Sequence, residues 1–172
     1  MIPCQRSLFS IPSDVVYLNT AYMSPLMTSV VDAVNYGAKL KATPWDITIS
    51  DFFENSELAR NLFADIVNVS SKNIALVPSA SYGLETAAKN LRVGNGRSVV
   101  ILENQFPSHV YPWQRLVKET GGKLIKVKER LDRNLTELVL EFIDEKCAIV
   151  AVPNVLWTKG LILDLILISQ RC

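Results

Sequence analysis

The sequence predicts an α/β fold with a mainly parallel sheet, and three observations carry that prediction. Apolar runs of strand length occur at residues 73–77, 98–102, 123–127 and 147–152. Helical spacings separate them at about residues 82–91, 110–120 and 135–145, and Gly94, Gly96, Gly121 and Gly122 mark the exits. Strand and helix alternating at this interval read as βαβ units, whose crossover helices return the chain to lay the next strand parallel to the last.

Upstream, the first 25 residues read as irregular, punctuated by Pro3, Pro12 and Pro25, with a short extended stretch at 15–18. Helical spacing follows over 26–40, where Val30, Val31 and Val34 share a face, until Pro44 breaks it. A second helix has Ser50 as its expected N-cap, Asp51 and Glu54 in the first turn, and a stripe of Phe53, Leu58, Leu62 and Ile66. At the far end, residues 161–169 start another helical or core segment, and Gln170-Arg171-Cys172 follows without a strand, so the chain reads as unfinished. No internal repeat or linker interrupts the pattern.

Composition bounds the function. Of 172 residues 49% are apolar and 20% charged, which excludes intrinsic disorder. Eighteen basic and seventeen acidic side chains leave a formal charge of +1, not the footprint of a nucleic-acid binder. No apolar run reaches eighteen residues and the N-terminus has no signal core, so the expectation is a soluble, cytoplasmic protein with no membrane partner. Three cysteines, Cys4, Cys147 and Cys172, are too far apart in sequence for a C-x-x-C pair. The single histidine, His109, argues against a His-rich zinc site, and no metal is expected.

Three segments sit where open α/β sheets place ligands. Residues 78–83 (Pro-Ser-Ala-Ser-Tyr-Gly) join an expected strand to a helix; small residues and hydroxyls there suit a phosphate at a helix N-terminus, or Ser79 or Ser81 simply caps the helix. Residues 103–113 leave the second expected strand, where Phe106 either stacks on a planar ring or closes the core, and His109 either titrates near neutrality or is a polar loop residue. Residues 152–158 leave the fourth, where Asn154 reads a ligand hydroxyl or makes a turn. Gly94-Asn95-Gly96 lacks the rest of a dinucleotide fingerprint and follows a helix, so it reads as a turn.

Taken in order, beginning with Tyr17-Leu18-Asn19-Thr20-Ala21, these residues resemble the N-terminal half of the class V aminotransferases. That family of pyridoxal-phosphate (PLP) enzymes includes cysteine desulfurases, selenocysteine lyases, isopenicillin N epimerases and kynureninases. The resemblance implies a partial three-layer α/β/α large domain of the PLP-dependent transferase fold (fold type I) with its C-terminal strands missing. Residues 1–68 would be an N-terminal arm and helices, and 69–172 the first βαβ units. It also implies PLP as cofactor. Ser79, Ala80 and Ser81 would hold its phosphate, Phe106 would stack on its ring and Asn154 would meet its ring hydroxyl; Asn19, Thr20 and Ala21 would line the substrate side.

The family's Schiff-base lysine, in a Ser-x-His-Lys segment, and the aspartate that pairs with the ring nitrogen come later than residue 172. Lys159 matches a loop position instead, so no catalytic residue is expected in this chain. An amino acid is the implied substrate and a homodimer the implied full-length form. Desulfuration, racemisation, side-chain cleavage and transamination all share this half of the site. The alternative is a catalytically inactive truncated homologue that works by association with another chain. The family's strand order, 3-2-4-5-6-7-1, makes residues 74–77 strand 1 with its neighbour, strand 7, absent. The expectation is exposed sheet edges and a marginal, aggregation-prone chain.

Overall fold

The computed structural model describes residues 2–172. It divides into two compact units, Met1–Leu76 and Val77–Cys172.

In the first unit, α1 (Thr28–Leu40) and α2 (Glu54–Val67) form where the apolar spacing places them. Ser50 does not cap α2. It lies in a short 3-10 turn, Ser50–Phe52, and the N-cap position falls to Phe53 without a side-chain hydrogen bond. The reason is local competition: the Asp51 carboxylate accepts from both the backbone N–H and the hydroxyl of Thr48, each at 2.7 Å, and so closes a turn of its own. Arg60 reaches from α2 to the carbonyls of Ile74 (2.9 Å) and Ser71 (2.7 Å), which ties the end of this unit to its helix. Residues 73–77 make no strand, contrary to the sequence pattern. Ser71–Asn73 is a 3-10 turn, and although Ile74 is extended, no strand pairs with it. An apolar run becomes a strand only where a neighbour accepts its ladder of hydrogen bonds.

The second unit contains the sheet. Its elements are α3 (Ala80–Asn90), β1 (Ser98–Leu102), α4 (Tyr111–Thr120), β2 (Lys123–Val127), α5 (Leu135–Leu140), β3 (Cys147–Ala151), the short strands β4 (Val155–Leu156) and β5 (Leu161–Ile162), and α6 (Leu165–Arg171). β1 is central, parallel to β2 on one side and β3 on the other. An irregularity between Ser98 and Val99 shifts the β3 register by one residue. All five residues of β1 are buried, as a strand covered on both faces must be.

Its side chains alternate between two cores. Val99 and Ile101 pack with Ala88, Trp113, Leu116 and Val117 on the α3/α4 side. Val100 and Leu102 pack with Leu135, Leu138, Val139, Leu163 and Ile168 on the α5/α6 side. This period-two division gives three layers, helix–sheet–helix. The order β2-β1-β3 matches the 3-2-4 portion of the order implied by the resemblance. Between α4 and β2 the turn is closed by Gly121 (φ +72°) and Gly122, where an added Cβ would lie 2.9 Å from Val93 Cγ1 and 3.1 Å from the Arg97 carbonyl oxygen.

Two segments differ from their patterns. The helix expected over 135–145 stops at Leu140, because Asp144 Oδ1 accepts from the backbone N–H groups of Lys146 (2.9 Å) and Cys147 (3.1 Å) and turns the chain into β3. Residues 161–169 split. Leu161–Ile162 pairs antiparallel with β4, and Asp164 then caps α6 by accepting from the Leu167 N–H at 2.9 Å. Among the described residues no helix is long and apolar enough to cross a membrane.

Candidate functional site

The N-terminus of α3 is built by Ser79. Its backbone is extended (φ −164°), and its Oγ accepts from the Tyr82 N–H at 3.1 Å. One orphan donor of the first turn is thereby satisfied, while the N–H groups of Ala80 and Ser81 have no acceptor within the helix. Ser81 points its hydroxyl elsewhere, donating to Ser108 Oγ at 2.7 Å. That bond joins the helix start to the loop leaving β1. Ser79, Ser81, Tyr82, Ser108 and Tyr111 line an open cleft of about 680 Å³, as does Arg115, which Glu85 holds at 2.5 Å.

The loop after β1 is tightly set. Asn104 takes a left-handed conformation (φ +58°), which asparagine tolerates better than most residues. Gln105 is buried, and its Oε1 accepts from the Phe106 N–H at 2.8 Å. Phe106 thus emerges at the rim with 39% of its surface exposed. Its ring meets Trp157 edge-on, with centroids 5.3 Å apart and planes at 78°. Trp157 Nε1 donates to the Asn104 carbonyl at 3.3 Å, so the segment after β3 is fastened to the one after β1. His109, in the 3-10 turn that follows, is half-buried, and burial lowers its pKa from the ordinary 6.5.

Asn154 anchors the β4–β5 hairpin. Its Nδ2 donates to the Leu163 carbonyl at 3.3 Å and its own carbonyl accepts from the Leu163 N–H at 2.8 Å. A primary amide has two N–H bonds and an acceptor, so this pair leaves one N–H and Oδ1 for a ligand. Lys159, at the hairpin turn, is held by the Glu129 carboxylate.

The three segments picked out by sequence therefore meet on one rim of the second unit. Ser81–Ser108 links the first two and Phe106–Trp157 the last two. Sequence reasoning gave no role to Ser108 or Trp157. Their partners lie 27 and 51 positions away, and no local pattern encodes such a pairing. Asn19, Thr20 and Ala21 belong to the first unit. They lie exposed in a turn where the Asn19 carbonyl accepts from the N–H groups of Tyr22 (3.3 Å) and Met23 (3.0 Å).

Comparison with known proteins fits this architecture. The chain is 28% identical over 168 residues to the uncharacterized aminotransferase YcbU of Bacillus subtilis, covering 96% of this chain and 44% of that protein. It is 28% identical over 134 residues to a kynureninase of Geobacillus thermodenitrificans, covering 74% and 31%. Among solved structures, a C-DES mutant with glycine covalently linked to its PLP cofactor superposes with a TM-score of 0.81 at 18% identity, over 99% of this chain and 46% of that one. The cysteine desulfurase CsdA of Escherichia coli gives 0.76 at 21% identity, over 93% and 43%. The chain spans less than half the length of these relatives. The fold is that of a partial PLP-dependent fold-type I domain, and the class V aminotransferase family model matches residues 16–172: this chain belongs to that family.

Proposed function

We propose that the chain supplies one half of a PLP-dependent site that acts on an amino acid, in a cytoplasmic protein that is a homodimer at full length. The convergence of three loops on one rim, through Ser81–Ser108 and Phe106–Trp157, is the observation that carries this reading. The residues present fit the cofactor. The start of α3 offers two backbone N–H groups and the positive end of a helix dipole to a phosphate, with Ser79 shaping the turn. Phe106 offers a half-exposed aromatic face to a pyridine ring, and the spare N–H of Asn154 suits a phenolic oxygen.

PLP, when bound, supplies an electron sink for bonds at the α-carbon of an amino acid. The chain's own residues bind and orient. Ser79, Ala80 and Ser81 would hold the PLP phosphate, Phe106, braced edge-on by Trp157, would stack on its ring, and Asn154 would meet its ring hydroxyl. No lysine here takes the part of covalent anchor. Lys159 is exposed and engaged by Glu129, without the burial that makes an amine nucleophilic. A second reading, an inactive homologue that works by association, draws on the outer edge of β3, which has no paired strand among the described residues.

Equilibrium dialysis with pyridoxine 5′-phosphate tests the first reading, since this analogue lacks the aldehyde that would react with surface lysines. Saturable binding is expected, competed by inorganic phosphate and weakened roughly 2- to 10-fold in Phe106→Ala. Equal affinity in wild type and variant, or indifference to phosphate, would overturn it.

A further inference from the structure

Of the residues between β1 and α4, Gln105 alone is buried: it is 8% exposed, while Asn104, Phe106 and Pro107 beside it face solvent. A primary amide in the interior is costly unless its hydrogen-bonding atoms are satisfied. Oε1 accepts from the Phe106 N–H at 2.8 Å, but Nε2 is enclosed and has no hydrogen-bond partner among the described residues. Methionine would fill a similar volume without the orphan donor. Packing therefore gives no reason for an amide here, and what the amide does is hold the N–H of the next residue.

That bond belongs to a set that fixes the backbone on both sides of the Phe106 ring. Trp157 Nε1 donates to the Asn104 carbonyl at 3.3 Å, and the Phe106 carbonyl accepts from the His109 N–H at 2.8 Å. Pro107 disfavours the helical region for Phe106, whose ψ is 137°. Gln105 holds the peptide plane that enters Phe106. With the planes before and after it held, the Cα–Cβ bond of Phe106 has one direction.

We infer that Gln105 is a positioning residue: its buried amide sets the tilt of the Phe106 ring and, through that ring, the affinity of the rim for a pyridine-ring ligand. This rests on the reading of the rim as half of a PLP site. Gln105 itself touches no ligand. Stacking depends on the angle and offset between rings, so an aromatic held in one orientation binds a planar ligand better than one that swings. The orphan Nε2 is the cost of that orientation, a loss of stability accepted where a site must be rigid.

The test is a double-mutant cycle on the whole chain, read by equilibrium dialysis with two probes, pyridoxine 5′-phosphate and inorganic phosphate. Gln105→Met keeps the reach of the side chain and removes the acceptor. It should weaken pyridoxine 5′-phosphate roughly 3- to 10-fold and leave inorganic phosphate within about 2-fold of wild type, because the ring and not the phosphate depends on Phe106. In a Phe106→Ala background the same change should add nothing. Gln105→Glu keeps an acceptor oxygen at the same reach and should bind within about 2-fold of wild type. The urea midpoint of Gln105→Met should equal or exceed that of wild type, because an enclosed orphan donor is removed while Phe106 lies on the rim, where water reaches it. Unchanged affinity in Gln105→Met, equal loss for both probes, a further loss in the Phe106→Ala background, failure of Gln105→Glu to bind, or a lowered midpoint would each overturn the inference. If wild type does not bind pyridoxine 5′-phosphate, the PLP reading of the rim falls and this inference with it; binding that Gln105→Met leaves unaltered removes the inference alone.

Discussion

His109 is the one imidazole of the chain, and its surroundings decide its charge. Burial lowers its pKa from 6.5, so below that value the unfolded chain binds more protons than the folded one. Stability is then fully present above about pH 6.5 and falls as pH drops toward the folded value. Acidifying from about pH 7.5 to about 5.5 should lower the melting midpoint of the wild type more than that of His109→Gln. Equal slopes would show that the ring is solvated. Asn154 shows a different balance. Its amide is half spent on Leu163, so the turn-forming and ligand-reading roles open at the level of sequence are compatible in one side chain. Neither property was legible from residue type; both depend on neighbours supplied by other elements.

At the scale of elements, β1 concentrates the cost of error. Ile101 is fully buried and faces Trp113 and Leu116 across the α3/α4 layer. Ile101→Ala should cost about 2–5 kcal/mol and Ile101→Val about 0.5–1.5 kcal/mol by urea unfolding. Ile162→Ala, at a position 71% exposed in β5, should stay within about 0.5 kcal/mol. If Ile101→Ala fell in the same small range, the central placement of β1 would be wrong. Both bounds of β1 and of β2 were readable in advance: β1 is a continuous apolar run buried on both faces, β2 sets Leu124, Ile125 and Val127 among exposed lysines, and glycines precede each. The same rule misled at residues 73–77: the run is apolar, but strand formation also needs a partner. It misled again at 161–169, where Asp164 makes one apolar stretch into a hairpin strand and a capped helix.

Across the whole molecule the buried apolar residues are unevenly distributed. Among the described residues, Ala64 alone represents the first unit; the rest of the core lies in Val77–Cys172. Local opening is easiest where few apolar contacts must be broken. Limited trypsin digestion should therefore cut first within residues 1–76, at sites such as Lys39, Lys41 and Lys72, and leave the sheet-bearing part intact. Early cleavage at Lys123 or Lys126 in β2 would contradict this. The sequence by itself determined the fold class, the parallel strands and the three segments of the candidate site, because apolar period, glycine turns and small residues at strand ends are local signals. Only the tertiary structure decided that 73–77 is unpaired, and that Ser81 meets Ser108 and Phe106 meets Trp157. Those facts turn on contacts between residues distant in the chain, and the energy of a contact belongs to the pair, not to either residue's local sequence.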